Sequence, residues 1–181
     1  MQIIKTNLED VIIIESKVFG DHRGWFYETY NKEKFLQLGI NIDFIQDNHS
    51  FSAKKGTLRG IHFQIGESVQ TKLVRCIKGK VLDVAVDLRR ESATFGEWVS
   101  VELSAENKRQ LFIPRGFGHG FVTLSDNCEF VYKVDNYYSK ENDRSILWND
   151  KKLNIDWGID KPYLSEKDKY AKDLKNIGEL F

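Results

Sequence analysis

Residues 81–88 alternate with the period of two that a β-strand imposes on its side chains. One face of this segment is entirely apolar and consists of Leu82, Val84, Val86 and Leu88. The other face carries Asp83 and Asp87 among apolar residues. The same period recurs in three further segments, residues 98–103, 121–124 and 129–134. Repeated short strands of this kind restrict the chain to a mainly β architecture.

The connections between these strands and the few helical segments complete the fold prediction. Short turns such as residues 125–127 separate the strands, which favours an antiparallel sandwich or barrel. Two segments have helical character: residues 31–38, which end at Gly39, and residues 165–180. No linker or repeat divides the 181 residues. We therefore expect one domain over residues 1–181, mainly β, with short helices and a C-terminal helical region.

Charge and cysteine content argue against several classes of partner and compartment. Lys plus Arg and Asp plus Glu each total 27, so the formal net charge is zero, whereas nucleic-acid and membrane binders usually carry positive charge. The longest apolar run in the first twenty residues, 11–14, is too short for a signal core or a membrane span. Cys76 and Cys128 lie in apolar segments without regular spacing, which favours reduced, buried thiols. The sequence thus predicts a cytoplasmic protein with no nucleic-acid and no membrane partner.

A histidine beside two cations makes residues 56–72 a candidate site. His62 shares one face of a predicted strand with Gln64, and Arg59 and Lys72 lie close in sequence. An imidazole suits proton abstraction because its ordinary pKa is near neutrality, and nearby positive charge stabilises an enolate. We interpret His62 as a candidate base that removes a proton next to a carbonyl. The alternative is a histidine that is hydrogen-bonded within the core.

A second motif, with Pro114, Gly116 and His119 in a Pro-x-Gly-x-x-His pattern, resembles the second signature of the cupin superfamily of double-sheet jelly-roll barrels. Metal-binding cupins supply further ligands from a His-x-His pair followed by Glu. Here Gln64 replaces the second histidine, and Glu67 does not have the usual spacing. The resemblance therefore implies a cupin-like jelly-roll barrel without a metal site. The alternative for His119 is a turn residue that contacts its own glycine-rich loop.

Several motifs occur in the order found in the dTDP-4-dehydrorhamnose 3,5-epimerase family, at residues 23–28, 46–50, 58–64, 114–124, 132–133, 148–150 and 164–168. The chain resembles this family over nearly its whole length. The resemblance implies inversion of dTDP-4-dehydro-6-deoxy-D-glucose at carbons 3 and 5, giving dTDP-4-dehydro-L-rhamnose in dTDP-L-rhamnose biosynthesis. It implies no cofactor, because the ketone at carbon 4 already acidifies both positions. It also implies a homodimer.

The resemblance assigns catalytic roles to three residues. His62 is the proton acceptor, and Tyr132 is the proton donor on the opposite face of the sugar. Lys72 lies near the carbon 4 oxygen, where a fixed cation stabilises developing charge. Without the resemblance, a core tyrosine is the favoured interpretation of Tyr132, and Lys72 is equally a solvated lysine at a strand edge.

Two carboxylates are candidates for the partner that orients His62. The resemblance implies Asp168, which also completes a Ser-x-x-Asp capping pattern with Ser165. Asp83, on a neighbouring predicted strand, is the alternative.

The remaining family positions contact substrate: Arg23, Glu28, Gln46, Asp47, Asn48, Arg59, Lys72, His119, Tyr138, Asp143 and Lys167. Tyr138 matches an aromatic residue that stacks on thymine, although residues 137–138 are equally a packing pair. Asp143 stands where the family has Glu, and Trp157-Gly158 replaces a more usual Trp-Pro. In the family the N-terminal strands reach into the partner subunit, so Arg23 and Glu28 are expected to serve the neighbouring site. Taken alone, each charged residue is also compatible with an ordinary surface charge, and residues 46–48 with an ordinary turn.

Other functions remain open at this stage. A single-centre epimerase or a 3,4-ketoisomerase acts on the same kind of dTDP-keto-sugar. A metal-dependent cupin oxygenase and a non-catalytic carbohydrate-binding cupin are more distant alternatives.

Overall fold

The structure, a computed structural model, describes residues 1–181 and contains thirteen strands, numbered β1 to β13 along the chain. Six of them form one antiparallel sheet in the order β1 (Gln2–Lys5), β2 (Ile12–Glu15), β10 (Gln110–Ile113), β7 (Lys72–Lys78), β12 (Cys128–Val134) and β5 (Gln46–Ser52). Five form a second antiparallel sheet in the order β13 (Asp143–Ser145), β6 (Leu58–Gln64), β11 (Phe117–Thr123), β8 (Lys80–Asp87) and β9 (Trp98–Ser104). The remaining two, β3 (Phe19–Asp21) and β4 (Gly24–Phe26), pair only with each other.

The mainly β jelly-roll prediction is confirmed. The predicted strands at residues 81–88, 98–103, 121–124 and 129–134 correspond to β8, β9, the end of β11, and β12. The two large sheets pack face to face without closing into a barrel. No helix in the structure combines the length and the apolar character needed to cross a membrane.

The helical predictions differ in outcome. The predicted helix at residues 31–38 is α1 (Lys32–Gln37), which Asn31 caps by accepting a hydrogen bond from Lys34 N at 3.2 Å. Residues 165–180 contain less helix than predicted, namely α2 (Glu166–Lys169) and a 3-10 turn (Leu174–Asn176).

Tertiary hydrogen bonds explain why the C-terminal segment does not continue as a helix. Leu147 N donates to Lys172 O at 2.8 Å, and Leu174 N donates to the Asp150 side chain at 2.7 Å. These backbone groups are therefore paired with another part of the chain instead of with the next helical turn. The segment instead lays Leu174 and Ile177 against the outer face of the five-stranded sheet.

Three apolar clusters hold these layers together. The largest lies between the sheets and includes Val74, Ala85 and Phe130. A second covers the outer face of the five-stranded sheet, where Ile61 and Phe63 meet the C-terminal segment. The third packs α1 on the six-stranded sheet. Burial of apolar surface contributes roughly 25 cal/mol per Å², so these clusters supply the main driving force for folding.

Both cysteines belong to the core and remain unpaired. Burial raises the pKa of the Cys76 thiol to about 12. The thiolate is the reactive form of cysteine, so this residue acts in packing and not in catalysis.

A close approach between β6 and β11 sets the register of the inner face. A Cβ atom at Gly60, whose φ is +136°, would lie 2.4 Å from Gly120 Cα. Only glycine permits this contact, and the register of the two strands shifts between His119 and Phe121. As a result, His119 lies directly opposite His62.

Candidate active site

A cavity of about 330 Å³ opens at one end of the sandwich, where polar side chains replace the apolar core. Phe121 and Phe130, whose ring centroids are 4.3 Å apart, lie at the boundary between the cavity and the apolar core. Nine of the fourteen predicted site residues line this cavity, namely Arg59, His62, Lys72, His119, Tyr132, Tyr138, Asp143, Lys167 and Asp168. The folded chain thus brings together residues that are up to about one hundred positions apart in sequence.

His62 forms a tight pair with Asp168. His62 Nε2 lies 2.5 Å from Asp168 Oδ1, and the Asp168 side chain is 3% exposed. The other carboxylate oxygen accepts a hydrogen bond from Ser165 Oγ at 2.8 Å, and Ser165 Oγ in turn accepts one from Asp168 N. The same aspartate therefore takes part in the cap of α2 and in the histidine pair.

The charge state of this pair follows from its surroundings. Burial raises the pKa of Asp168, but the hydrogen bonds from His62 and Ser165 and the charge of Lys167 outweigh it, so the pKa lies below its usual range. An ionised carboxylate at Nε2 favours the tautomer that carries the proton there. His62 Nδ1 is left with a free lone pair, which is the requirement for a base.

A second histidine–carboxylate pair lies directly beside the first. His119 Nε2 is 3.0 and 3.1 Å from the two oxygens of Asp83, which is fully buried. Burial lowers the pKa of His119 and raises that of Asp83. Asp83 is therefore the partner of His119, and Asp168 is the partner of His62. His119 lies within β11 and not in a turn.

Lys72 reaches into the same cavity from the six-stranded sheet. Its Nζ lies 3.5 Å from the backbone oxygen of His62. Burial lowers the pKa of Lys72 to about 8, against the opposing charges of Asp83 and Asp143. The ammonium is thus a weakly solvated cation, and such a cation acts more strongly on nearby developing charge than one in water.

Tyr132 faces the cavity from the sheet opposite to His62, since Tyr132 lies on β12 and His62 on β6. Burial raises the pKa of Tyr132, although the charge of Arg59 opposes the shift. The phenol therefore stays protonated and can donate. Arg59 is itself held by Ser52 Oγ and Phe51 O, at 3.2 and 3.1 Å.

At the cavity mouth, two side chains donate hydrogen bonds to the same carboxylate oxygen of a third residue, Asp143. Asp143 Oδ2 accepts hydrogen bonds from Tyr138 Oη at 3.1 Å and from Lys167 Nζ at 2.5 Å. The aspartate is the least exposed of the three. It lies opposite Gln64 at the start of β13.

Five predicted residues do not line the cavity. Arg23 is in the exposed turn between β3 and β4 and pairs with Asp21, and Glu28 pairs with Asn31 and Lys34. The other three are on the edge strand β5. Gln46 and Asn48 share the inward face with Ser50, a cavity residue, and are hydrogen-bonded to each other, whereas Asp47 points outward and pairs with Lys133 at 2.8 Å.

Two glutamines that line the cavity, Gln64 and Gln70, are not among the predicted site residues. The buried amide of Gln64 accepts a hydrogen bond from Ser139 N at 2.6 Å, and Gln70 Nε2 donates to Asn136 O at 2.8 Å. Both glutamines thereby fix the loop that carries Tyr138. The only sequence signal was that Gln64 shares a strand face with His62. The structure contains no group of three or more His, Cys, Asp or Glu side chains arranged to hold a metal.

The arrangement is suited to one kind of proton transfer. A histidine base with an ionised partner lies on one sheet, a protonated phenol on the other, and an ammonium group lines the same cavity. Such a set can remove a proton from carbon next to a carbonyl, stabilise the enolate, and return a proton to the opposite face.

Comparison with known proteins gives a consistent result. A family profile described as dTDP-4-dehydrorhamnose 3,5-epimerase matches residues 5–176. The dTDP-4-dehydrorhamnose 3,5-epimerase of Salmonella typhimurium is 60% identical over 173 residues, which cover 94% of each chain.

Solved structures show the same similarity. The dTDP-6-deoxy-D-glucose-3,5-epimerase of Legionella pneumophila, in complex with dTDP-4-keto-L-rhamnose, is 48% identical with a TM-score of 0.93, over 97% of this chain and 94% of that one. The 3'-monoepimerase ChmJ of Streptomyces bikiniensis, in complex with dTDP-quinovose, is 33% identical with a TM-score of 0.88, over 94% and 87% of the two chains. The present chain belongs to the dTDP-4-dehydrorhamnose 3,5-epimerase family.

Proposed function

We propose that the protein inverts dTDP-4-dehydro-6-deoxy-D-glucose at carbons 3 and 5, giving dTDP-4-dehydro-L-rhamnose in dTDP-L-rhamnose biosynthesis. The observation that carries this proposal is the His62–Asp168 pair, which faces the protonated Tyr132 from the opposite sheet. An inversion needs a base and an acid on the two sides of the same carbon. The protein is accordingly an isomerase.

Each inversion proceeds in two proton transfers. His62 Nδ1 takes the proton from the carbon next to the ketone, and the electrons of the broken C–H bond move onto the carbon 4 oxygen as an enolate. Lys72 stabilises that negative charge. The enolate carbon then takes the phenol proton of Tyr132 on the opposite face, and solvent restores both residues to their starting states. A phenol of ordinary pKa near 10 can serve here because an enolate carbon is strongly basic.

The cavity mouth supplies groups for the nucleotide. Arg59 and Lys167 are positively charged and suit the diphosphate. Tyr138 presents an exposed aromatic ring that suits stacking on thymine. Two buried free thiols match a reducing compartment, so a cytoplasmic location is part of the proposal.

A test in deuterated solvent decides between this function and the nearest alternative. The purified protein is incubated with the proposed substrate in D2O, and carbons 3 and 5 are followed by NMR. Deuterium at both carbons, with both inverted, is the expected result. Label at carbon 3 alone identifies a single-centre epimerase, the alternative favoured by the similarity to ChmJ. A change in the position of the ketone identifies a ketoisomerase.

A homodimer is the second part of the proposal. The hairpin of β3 and β4 pairs with no other strand, and it exposes Phe19, Trp25 and Phe26 at 54%, 61% and 67%. An isolated two-stranded hairpin is marginally stable in water, and exposed apolar clusters mark binding surfaces. A second copy of the chain can cover this hairpin, which would carry Arg23 to the cavity of the partner subunit.

We expect a mixed dimer of Arg23→Ala and His62→Ala subunits to be active although each homodimer is inactive or nearly so. If Arg23 serves the partner cavity, one of the two sites in the mixed dimer has both residues intact. The mixed dimer, isolated by two different affinity tags, should therefore regain about half of wild-type activity. No regain would mean that Arg23 serves its own subunit, and a fully active Arg23→Ala homodimer would mean that Arg23 serves neither site.

The low pKa of Lys72 predicts how activity depends on pH. The ammonium is present below about pH 8 and is lost above it. Because kcat/KM reports groups of the free enzyme, kcat/KM should fall as the pH rises through about 8. Lys72→Arg keeps its charge, so this alkaline limb should move to higher pH even if the rate is lower. An unchanged limb in that variant would contradict the assignment.

A further inference from the structure

We propose that Asp143 is a positioning residue that holds Tyr138 and Lys167 in place for the nucleotide half of the substrate. The inference rests on the proposed function, and it replaces the expectation that an acidic residue here contacts the substrate directly. The family resemblance calls for Glu at this position, and this chain has the shorter Asp.

The hydrogen bonds of Asp143 point to protein groups. A single oxygen, Oδ2, accepts from both Tyr138 Oη and Lys167 Nζ. The Asp143 side chain is 16% exposed, whereas Lys167 is 45% exposed and Tyr138 is 57% exposed. The less exposed carboxylate is thus the anchor, and the two exposed side chains are the groups that it holds.

Both anchored groups are free to move without this contact. Exposed tyrosine and lysine side chains populate several rotamers, and ordering them when a ligand arrives costs binding free energy. A carboxylate that holds both beforehand reduces that cost. The contact also keeps the Tyr138 phenol a donor, since burial and the charge of Asp143 raise its pKa.

The backbone around Tyr138 has separate anchors. Ser139 N donates to Gln64 Oε1, and Asn136 O accepts from Gln70 Nε2. Loss of the Asp143 carboxylate should therefore release the side chains and leave the loop in place. Variants at this position are expected to fold.

Charge repulsion and positioning predict opposite changes in dTDP affinity when the Asp143 carboxylate is removed. The direction of the measured change therefore distinguishes the two roles. Asp143 places a negative charge at the mouth that receives a diphosphate. If electrostatics alone mattered, removal of this charge would tighten the binding of dTDP. If the carboxylate positions Tyr138 and Lys167, removal weakens it.

The test measures the affinity for dTDP, which lacks the sugar, by calorimetry and compares it with steady-state kinetics. Asp143→Ala should weaken dTDP binding by about tenfold and raise KM by a similar factor, with kcat within about twofold of wild type. Asp143→Glu should restore most of the affinity. Glu141→Ala removes an exposed carboxylate from the turn just before β13 and should leave dTDP affinity unchanged, which controls for charge.

Two further results would overturn the inference. Unchanged or tighter dTDP binding by Asp143→Ala, with a loss confined to kcat, would mean direct contact with the sugar. Additive effects of Asp143→Ala and Tyr138→Ala on dTDP binding would also contradict it, because a residue that acts through Tyr138 loses much of its effect once the ring is gone. Failure of the wild-type protein to bind dTDP would instead overturn the proposed function.

Discussion

His62→Ala is expected to abolish proton exchange at both carbon 3 and carbon 5 of the substrate. His62 is the cavity imidazole whose Nε2 is held by an ionised carboxylate, which leaves Nδ1 as the free lone pair. His119, the neighbouring imidazole, has its pKa lowered by burial and is bound to Asp83, so it is a poor substitute. Loss of a positioned general base typically costs 10² to 10⁴ in rate, and we expect a fall in kcat/KM of about a thousandfold or more.

Deuterium incorporation followed by NMR measures this loss directly, since it detects proton removal whether or not inversion follows. His49→Ala is the matched control, because His49 is exposed on the outer face of β5, its ring is hydrogen-bonded to Glu129, and it does not line the cavity. It should exchange both positions at the wild-type rate. Exchange at either carbon by His62→Ala, at a rate near wild type, would disprove the assignment of His62 as the base. Far-ultraviolet circular dichroism should confirm that the variant is folded, since His62 faces the cavity and not the packed core.

Tyr132→Phe is expected to separate proton removal from proton delivery. The substitution removes one hydroxyl and keeps the ring, so the packing of Tyr132 near Phe130 is retained. His62 can still form the enolate, but the face opposite to it lacks its acid. Solvent deuterium should therefore enter the substrate with retention of configuration, especially at carbon 5. Inverted product should form about a hundredfold more slowly than with the wild-type protein.

The product distribution, resolved by NMR, is the measurement that decides the role of Tyr132. Tyr163→Phe is a suitable control, because Tyr163 is 56% exposed and lies outside the cavity. It should give the wild-type product at the wild-type rate. If Tyr132→Phe also gave doubly inverted product in wild-type proportions, another group would have to supply the proton.

Local patterns predicted the strands well because each strand imposes its period on neighbouring residues. The alternation in residues 81–88 correctly separated the buried apolar face of β8 from the face with Asp83 and Asp87. The same logic placed His62 away from Ile61 and Phe63, which pack on the outer side of the sheet. The C-terminal segment departs from its helical pattern because Lys172 and Leu174 find hydrogen-bond partners in residues 147–150.

Such local patterns did not predict which distant residues form pairs. The sequence left Asp168 and Asp83 as alternative partners of His62, and the folded chain gives one carboxylate to each histidine. The role of Asp143 was likewise hidden, since its contacts depend on how β13, α2 and the loop of Tyr138 meet.

Residue order alone determined that this chain forms short, two-faced strands and that one of them turns an imidazole away from the apolar packing. Only the tertiary structure decided which acid, which phenol and which cation share the space with that imidazole. The reason is that side-chain direction depends on a few adjacent backbone angles, whereas the contact between His62 and Asp168 spans 106 positions and exists only after both sheets and α2 have packed.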